Sequence, residues 1–136
     1  MVWIYTTTAP EPVERKTHLG MRQRTVNYNI VPLGGNHPTG YKFKHQAVTL
    51  EPGIWHYDAI VSALVSAEYP RDKMDAVVNN YLADPTNDNA VEEMLEMQNW
   101  RAAAKQIAKE VLAIDPGTSG VQNYPPGEND ATDDEG

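Results

Sequence analysis

The chain has 136 residues, a formal net charge of −8 and no cysteine. That length suits one domain able to bury about two thirds of its unfolded surface. Disulfides and thiolate metal sites are excluded, and an acidic whole argues against a dedicated nucleic-acid binder, because phosphate contacts need clustered lysine and arginine.

The charge is unevenly spread. Residues 1–50 hold Arg15, Lys16, Arg22, Arg24, Lys42 and Lys44 against Glu11 and Glu14, a net +4. Residues 51–114 carry eleven acids and five bases, and residues 115–136 carry six acids and no base, so each part is −6. A basic front can therefore meet an acidic back, within one chain or between neighbouring copies. The opening MVWIYTTTAPE lacks the basic flank and long apolar run of a secretory signal, and no later stretch reaches the ~18 apolar residues of a membrane span. The expectation is a soluble protein made in the cytoplasm.

In chain order, VWIYTTT (Val2 to Thr8) is rich in β-branched and aromatic residues and reads as a strand ended by Pro10 and Pro12. Glu11 to Arg24 is polar and shows no clear period. TVNYNIV alternates, with Val26, Tyr28 and Ile30 on one face of a half-buried strand. Gly34 to Gly40 is a loop of breakers. In YKFKHQAVTL, Tyr41 and Phe43 fall on one side while Val48 and Leu50 fall on the opposite register, and a bulge near Gln46 and Ala47 would restore a common face. EPGI (Glu51 to Ile54) is a turn, with proline presetting φ and glycine supplying positive φ.

Beyond it the period becomes helical. Tyr57, Ile60, Val61, Leu64 and Val65 make one stripe that ends before Pro70. Met74, Val77, Val78, Tyr81 and Leu82 make a second, closed by Asp84 and Pro85, with Asp72 and Asp75 near the positive end of the helix dipole. A third helix begins near Asn87 or Asp88 and runs to about Ile114. Its stripe is Val91, Met94, Met97, Trp100, Ala104, Ile107, Ala108 and Val111. Residues 115–136 are rich in proline, glycine and acids, a composition that cannot build a core.

The chemistry-bearing residues do not converge. His18, His37, His45 and His56 lack the spacing of a metal site, and no cofactor is expected. Ser62 and Ser66 are four apart on the first helix without a nucleophile signature. Gly34-Gly35 lacks the GK[ST] of a phosphate loop. The carboxylates of the third helix lack the alternating spacing of a calcium loop and read as a solvated face. Lys42 and Lys44 alternating with Tyr41 and Phe43 could clamp a single strand of nucleic acid, but an edge strand protected by lysines explains them better.

From Trp55 to Leu112 the chain carries W-x-Y-x-x-I-V-S-A-L-V-x-A-x-Y, M-x-A-V-x-N-N-Y-L and E-M-Q-x-W-R-x-x-A-K-x-I-A. These blocks resemble small proteins in phage and prophage gene sets of gut Bacteroidales, and the last is similar to the helical ends of phage tail-assembly proteins. The resemblance covers under half of the chain, brings no catalytic motif, and implies a phage context.

The expected fold is α+β. Residues 1–50 form a β-hairpin or small antiparallel sheet, packed as one domain on three helices in residues 51–114, with residues 115–136 as an acidic tail. Ile60, Leu64, Met74, Val77, Tyr81, Trp100 and Ile107 are the expected core. Trp3, Ile4 and Tyr5 at one end, and Asp130, Asp133, Asp134 and Glu135 at the other, are the expected interface residues. The function expected is non-enzymatic: a structural or assembly protein of a phage particle or tail, in contact with other virion proteins or with itself. The alternative is a small acidic adaptor or inhibitor that binds a host protein.

Overall fold

The computed structural model describes residues 2–35 and 37–117. Four strands precede three helices: β1 (Ile4–Thr6), β2 (Val13–His18), β3 (Met21–Pro32), β4 (Phe43–Thr49), α1 (Tyr57–Glu68), α2 (Arg71–Ala83) and α3 (Asp88–Ile114). The strands form one antiparallel sheet in the order β1-β4-β3-β2, and the fold is α+β. The acidic tail beyond Gly117 lies outside the described residues.

Two tight features build the sheet. Leu19 and Gly20 join β2 to β3 with φ of 54° and 76°, the pair of positive values that a two-residue hairpin turn requires. The stretch from Glu11 to Arg24, which shows no period, therefore holds all of β2. Only Val13 of that strand is buried, so an outer strand facing water left no alternation to read. The expected bulge exists, but on the other strand. Tyr28 pairs with Gln46 and Val31 with Lys44, so the extra residue lies at Asn29–Ile30 of β3, where Asn29 has φ of 53°. Ile30 is thereby thrown off the core face and stays exposed.

The turn at Glu51–Ile54 closes with a backbone hydrogen bond from Ile54 to Glu51 of 3.0 Å. Gly53 has φ of 81° there, and a Cβ would sit 2.9 Å from the Met21 sulfur. His56 caps α1 through its ring, accepting from the Ala59 N–H, and Asn87 caps α3 by accepting from the Ala90 N–H at 3.0 Å.

The core lies between one sheet face and the helices. Val13, Val26, Tyr28 and Leu50 meet Ile60, Leu64, Ala104, Ala108, Val111 and Leu112, and Trp55 closes the junction. The small alanines let α3 run close to α1, and α2 packs on α3. Of the residues expected inside, Ile60, Leu64 and Val77 are buried. Met74, Tyr81, Trp100 and Ile107 are half-buried at its margin. Leu82, read into the α2 stripe, is 67% exposed. α2 packs chiefly on α3, which buries Val77, half-buries Met74, Val78 and Tyr81, and leaves Leu82 outside the contact. Among the described residues no helix is long and apolar enough to cross a membrane.

Candidate interaction surface

The core covers only part of its sheet face. Lys44, Gln46 and Val48 alternate onto the helix side of β4, and Tyr5 stands opposite Lys44 on β1. Past the bulge the helices no longer cover this face, and an aromatic platform takes their place. The Lys44 ammonium lies 4.3 Å from the centre of the Trp3 ring. The Tyr5 ring centre is 5.9 Å from that of Tyr41 and 6.0 Å from that of His37, both tilted. Such tilted pairs and cation–π contacts hold partly exposed rings in place. Tyr5 and Tyr41 are each about two-fifths exposed, at 41% and 40%.

Backbone hydrogen bonds fix the platform from below. The Lys42 N–H donates to Thr6 at 3.0 Å, and the Leu33 N–H donates to Lys42 at 2.8 Å, so one residue ties β1 to the end of β3. The 37–40 turn is closed by the Gly40 N–H on the His37 carbonyl and by the His37–Thr39 side-chain hydrogen bond of 2.7 Å. Among the described residues β1 is also an edge strand, with one side free of any strand neighbour.

The strand divides the three expected N-terminal contact residues. Trp3 and Tyr5 face the platform, whereas Ile4 pairs with His45 on the opposite sheet face. There the segment from Thr7 to Pro12 crosses from one sheet edge to the other, and the Asn27 side chain donates to the Glu11 carbonyl at 2.7 Å. A cleft of roughly 570 Å³ lies beneath it, lined by Ile4, Thr6, Glu14, Thr25, Asn27 and His45. His45 is buried and its Nδ1 makes no hydrogen bond. Asp130, Asp133, Asp134 and Glu135 lie outside the described residues.

A second polar cluster joins sheet to helix. The Asp115 carboxylate accepts from Arg24 Nε at 2.7 Å and from Arg15 Nη1 at 3.0 Å. The Trp55 indole donates to the Asp115 carbonyl at 2.6 Å, and the Arg24 guanidinium lies 5.2 Å from the Trp55 ring centre. Burial pushes the Asp115 carboxyl up. The hydrogen bonds from Arg24, Arg15 and the Gly117 N–H, with the Arg24 charge, outweigh that and hold it below its usual value. Arg24 and Asp115 are both nearly inaccessible, so this cluster is a fastener for the C-terminal end of α3.

Compared with family models, with curated proteins and with solved structures, the chain matches none. Its chemistry is therefore read from geometry alone. Among the described residues no group of three or more His, Asp or Glu side chains is placed to hold a metal. His18 ends β2, His37 lies in the β3–β4 loop, His45 is inside β4 and His56 caps α1, so topology separates the four. Tyr28 is drawn into the fold. Burial raises its hydroxyl well above the ordinary range, the Glu68 charge adds to this, and the hydroxyl donates to Glu68 at 3.2 Å.

Sequence reasoning missed that the N-terminal aromatics share one surface with Tyr41 and Lys44. The signal lay in two separate stretches, and only the β1–β4 pairing unites them. It also missed the Arg24–Asp115 fastener, whose partners are 91 residues apart and carry no local mark.

Proposed function

We propose that the chain is a non-enzymatic structural or assembly protein, made in the host cytoplasm, that acts in a phage particle or its tail through protein–protein contacts. The observation that carries this reading is the platform of Trp3, Tyr5 and Tyr41 with Lys44, next to the exposed Lys42, at an uncovered sheet edge. Aromatic side chains give large contact area at low entropic cost and are enriched where interfaces concentrate binding energy. An edge strand beside them adds backbone groups ready to pair with a partner. The resemblance of the helical blocks to phage and prophage proteins supports the setting, and the partners would be other virion or assembly proteins or further copies of the chain. Mass spectrometry of purified particles from the source tests this. The protein is expected among their components or co-purifying with one of them, and its absence from both would count against the reading.

A second reading has its own observation. Asp88, Glu92, Glu93 and Glu96 are all exposed in the first turns of α3, an acidic face of the kind that suits a small adaptor or inhibitor of a basic host protein. Capture of a nucleic-acid-binding host protein, abolished when Glu92, Glu93 and Glu96 are changed together to Gln, would favour it.

A further inference from the structure

We propose that the platform of Trp3, Tyr5 and Tyr41 receives the C-terminal segment of a second copy, residues 118–136, so that the chain assembles head to tail. The inference rests on the assembly reading above and names its partner. Three observations point to it.

The first is chemical fit. The segment contains Tyr124-Pro125-Pro126-Gly127 followed by Glu128, Asp130, Asp133, Asp134 and Glu135. Consecutive prolines favour an extended left-handed turn, and such segments dock on grooves lined by aromatic rings. The acids that follow would meet Lys42 and Lys44, and no base in the segment opposes them.

The second is where the segment starts. Gly117 is held at the far end of the sheet, its N–H donating to Asp115 and its α-carbon beside Trp55. From Arg24, which binds Asp115, to Val31, opposite Lys44, is about 20 Å, six rises of ~3.3 Å because the bulge adds one residue without length, and Tyr5 lies two strand spacings, about 10 Å, to the side. Eight residues, Thr118 to Pro125, span at most about 28 Å when fully extended. The direct path runs through the layer in which Trp100 and α1 stand on Tyr28. The protein's own prolines would therefore need a taut detour to reach its own platform, whereas those of a neighbour approach freely. A contact between two different patches closes in a pair when the two copies exchange arms reciprocally, and otherwise builds rings or filaments.

The third is what the platform lacks for nucleic acid. Two lysines are too few to hold a phosphate backbone against the charge of −8 that the molecule carries.

The test uses the full chain and two variants whose changes avoid the core. One carries Tyr41→Ser with Lys42→Ser. The other carries Pro125→Ser, Pro126→Ser, Asp130→Asn, Asp133→Asn and Asp134→Asn. Unchanged melting temperatures establish that both are folded. Sedimentation velocity over a range of concentrations should show the parent associating. High salt should weaken that association, since the screening length falls from about 30 Å at 0.01 M to about 3 Å at 1 M. Each variant alone should associate at least about tenfold more weakly, as loss of an interface anchor does. Mixed together, they should form a one-to-one pair that grows no further, because only one competent joint remains between them. A parent that stays monomeric at every concentration, or variants that associate like the parent, would overturn the proposal. So would tight binding of a fluorescent oligothymidylate that the Tyr41 and Lys42 changes abolish. None of these outcomes touches the assembly reading, which stands or falls on the particle composition.

Discussion

Replacing Asp115 by alanine would strip a buried guanidinium of its counter-charge. Arg24 is 4% exposed, its Nε donates to Asp115 at 2.7 Å, and its Nη2 is already buried without a partner. Removing one member of a buried pair typically costs about 3–5 kcal/mol, because the other charge stays desolvated and uncompensated. That is a large share of the roughly 5–15 kcal/mol that holds a domain of this size together. Arg15 bonds the same carboxylate, yet 47% of its side chain is in water, so Arg15→Ala should cost no more than about 1 kcal/mol. The pair Arg24→Met with Asp115→Leu should recover most of the loss, since apolar packing replaces a buried ion pair at little cost. Urea unfolding of the four proteins measures all three differences. The acid limb supplies a further check. The folded Asp115 carboxyl lies below its unfolded value of 3.8, so its contribution is complete above that value and is lost as pH falls through the folded one. The parent should lose its advantage over Asp115→Ala across that acidic window. If Asp115→Ala costs no more than Arg15→Ala, the cluster is not a fastener and the reasoning fails.

Leu19 is 78% exposed and held at φ of 54°; Leu19→Asn should stabilise by about 1 kcal/mol, since asparagine tolerates that region, and thermal melting should show the rise. Trp100 donates to the Leu64 carbonyl at 3.0 Å and stacks 5.5 Å from Tyr28, so Trp100→Ala should cost about 3 kcal/mol by denaturant titration. Tyr81→Ala, at the margin of α2, should cost roughly half as much in the same titration. Stoichiometric zinc should leave the melting temperature unmoved, because the fold separates the four histidines; a rise of several degrees would reveal a site that their placement does not suggest.

The helices were legible because each carries a period and marked ends. Pro70, Asn87 and the Asp84-Pro85 stop stand where helix-ending and capping chemistry puts them, and the α1 stripe lies on the core, while the His56 cap was not announced. Stripe depth was not legible. Whether Tyr81 and Leu82 are covered depends on how many neighbours α2 has, which no local pattern records. β2 was hidden because five of its six residues face water, and its turn begins with a leucine at positive φ, a residue that advertises no turn. The parity slip in β4 did announce a bulge. It could not say which strand takes the extra residue, because one more residue on either strand restores the register equally; Asn29, tolerant of positive φ, was the unused clue. The platform was half legible, since Trp3 and Tyr5 stood out as N-terminal aromatics while their union with Tyr41 required the strand order β1-β4.

The bulge at Asn29–Ile30 divides the sheet into a part that makes the core and a part that makes the platform. Before it, Val26 and Tyr28 face α1 and α3; after it, Val31 stands opposite Lys44, which lies over Trp3. A bulge bends and twists its strand, so the far end is turned away from the helices and stays open. Asn29 holds this geometry twice, by its φ of 53° and by donating through its side chain to Gln46 at 2.8 Å. Asn29→Gly keeps the backbone conformation and loses the hydrogen bond, a cost of about 1 kcal/mol. Asn29→Val loses the bond and places a β-branched side chain at positive φ, adding about 1–2 kcal/mol of strain. If the bulge separates core from platform, amide shifts in Asn29→Val will concentrate at residues 29–32 and 41–46 while the Ile60–Leu64–Val111 core keeps its signals. Equal stability of the glycine and valine variants, or shifts spread evenly through the helices, would mean that the backbone at Asn29 does not set the platform apart.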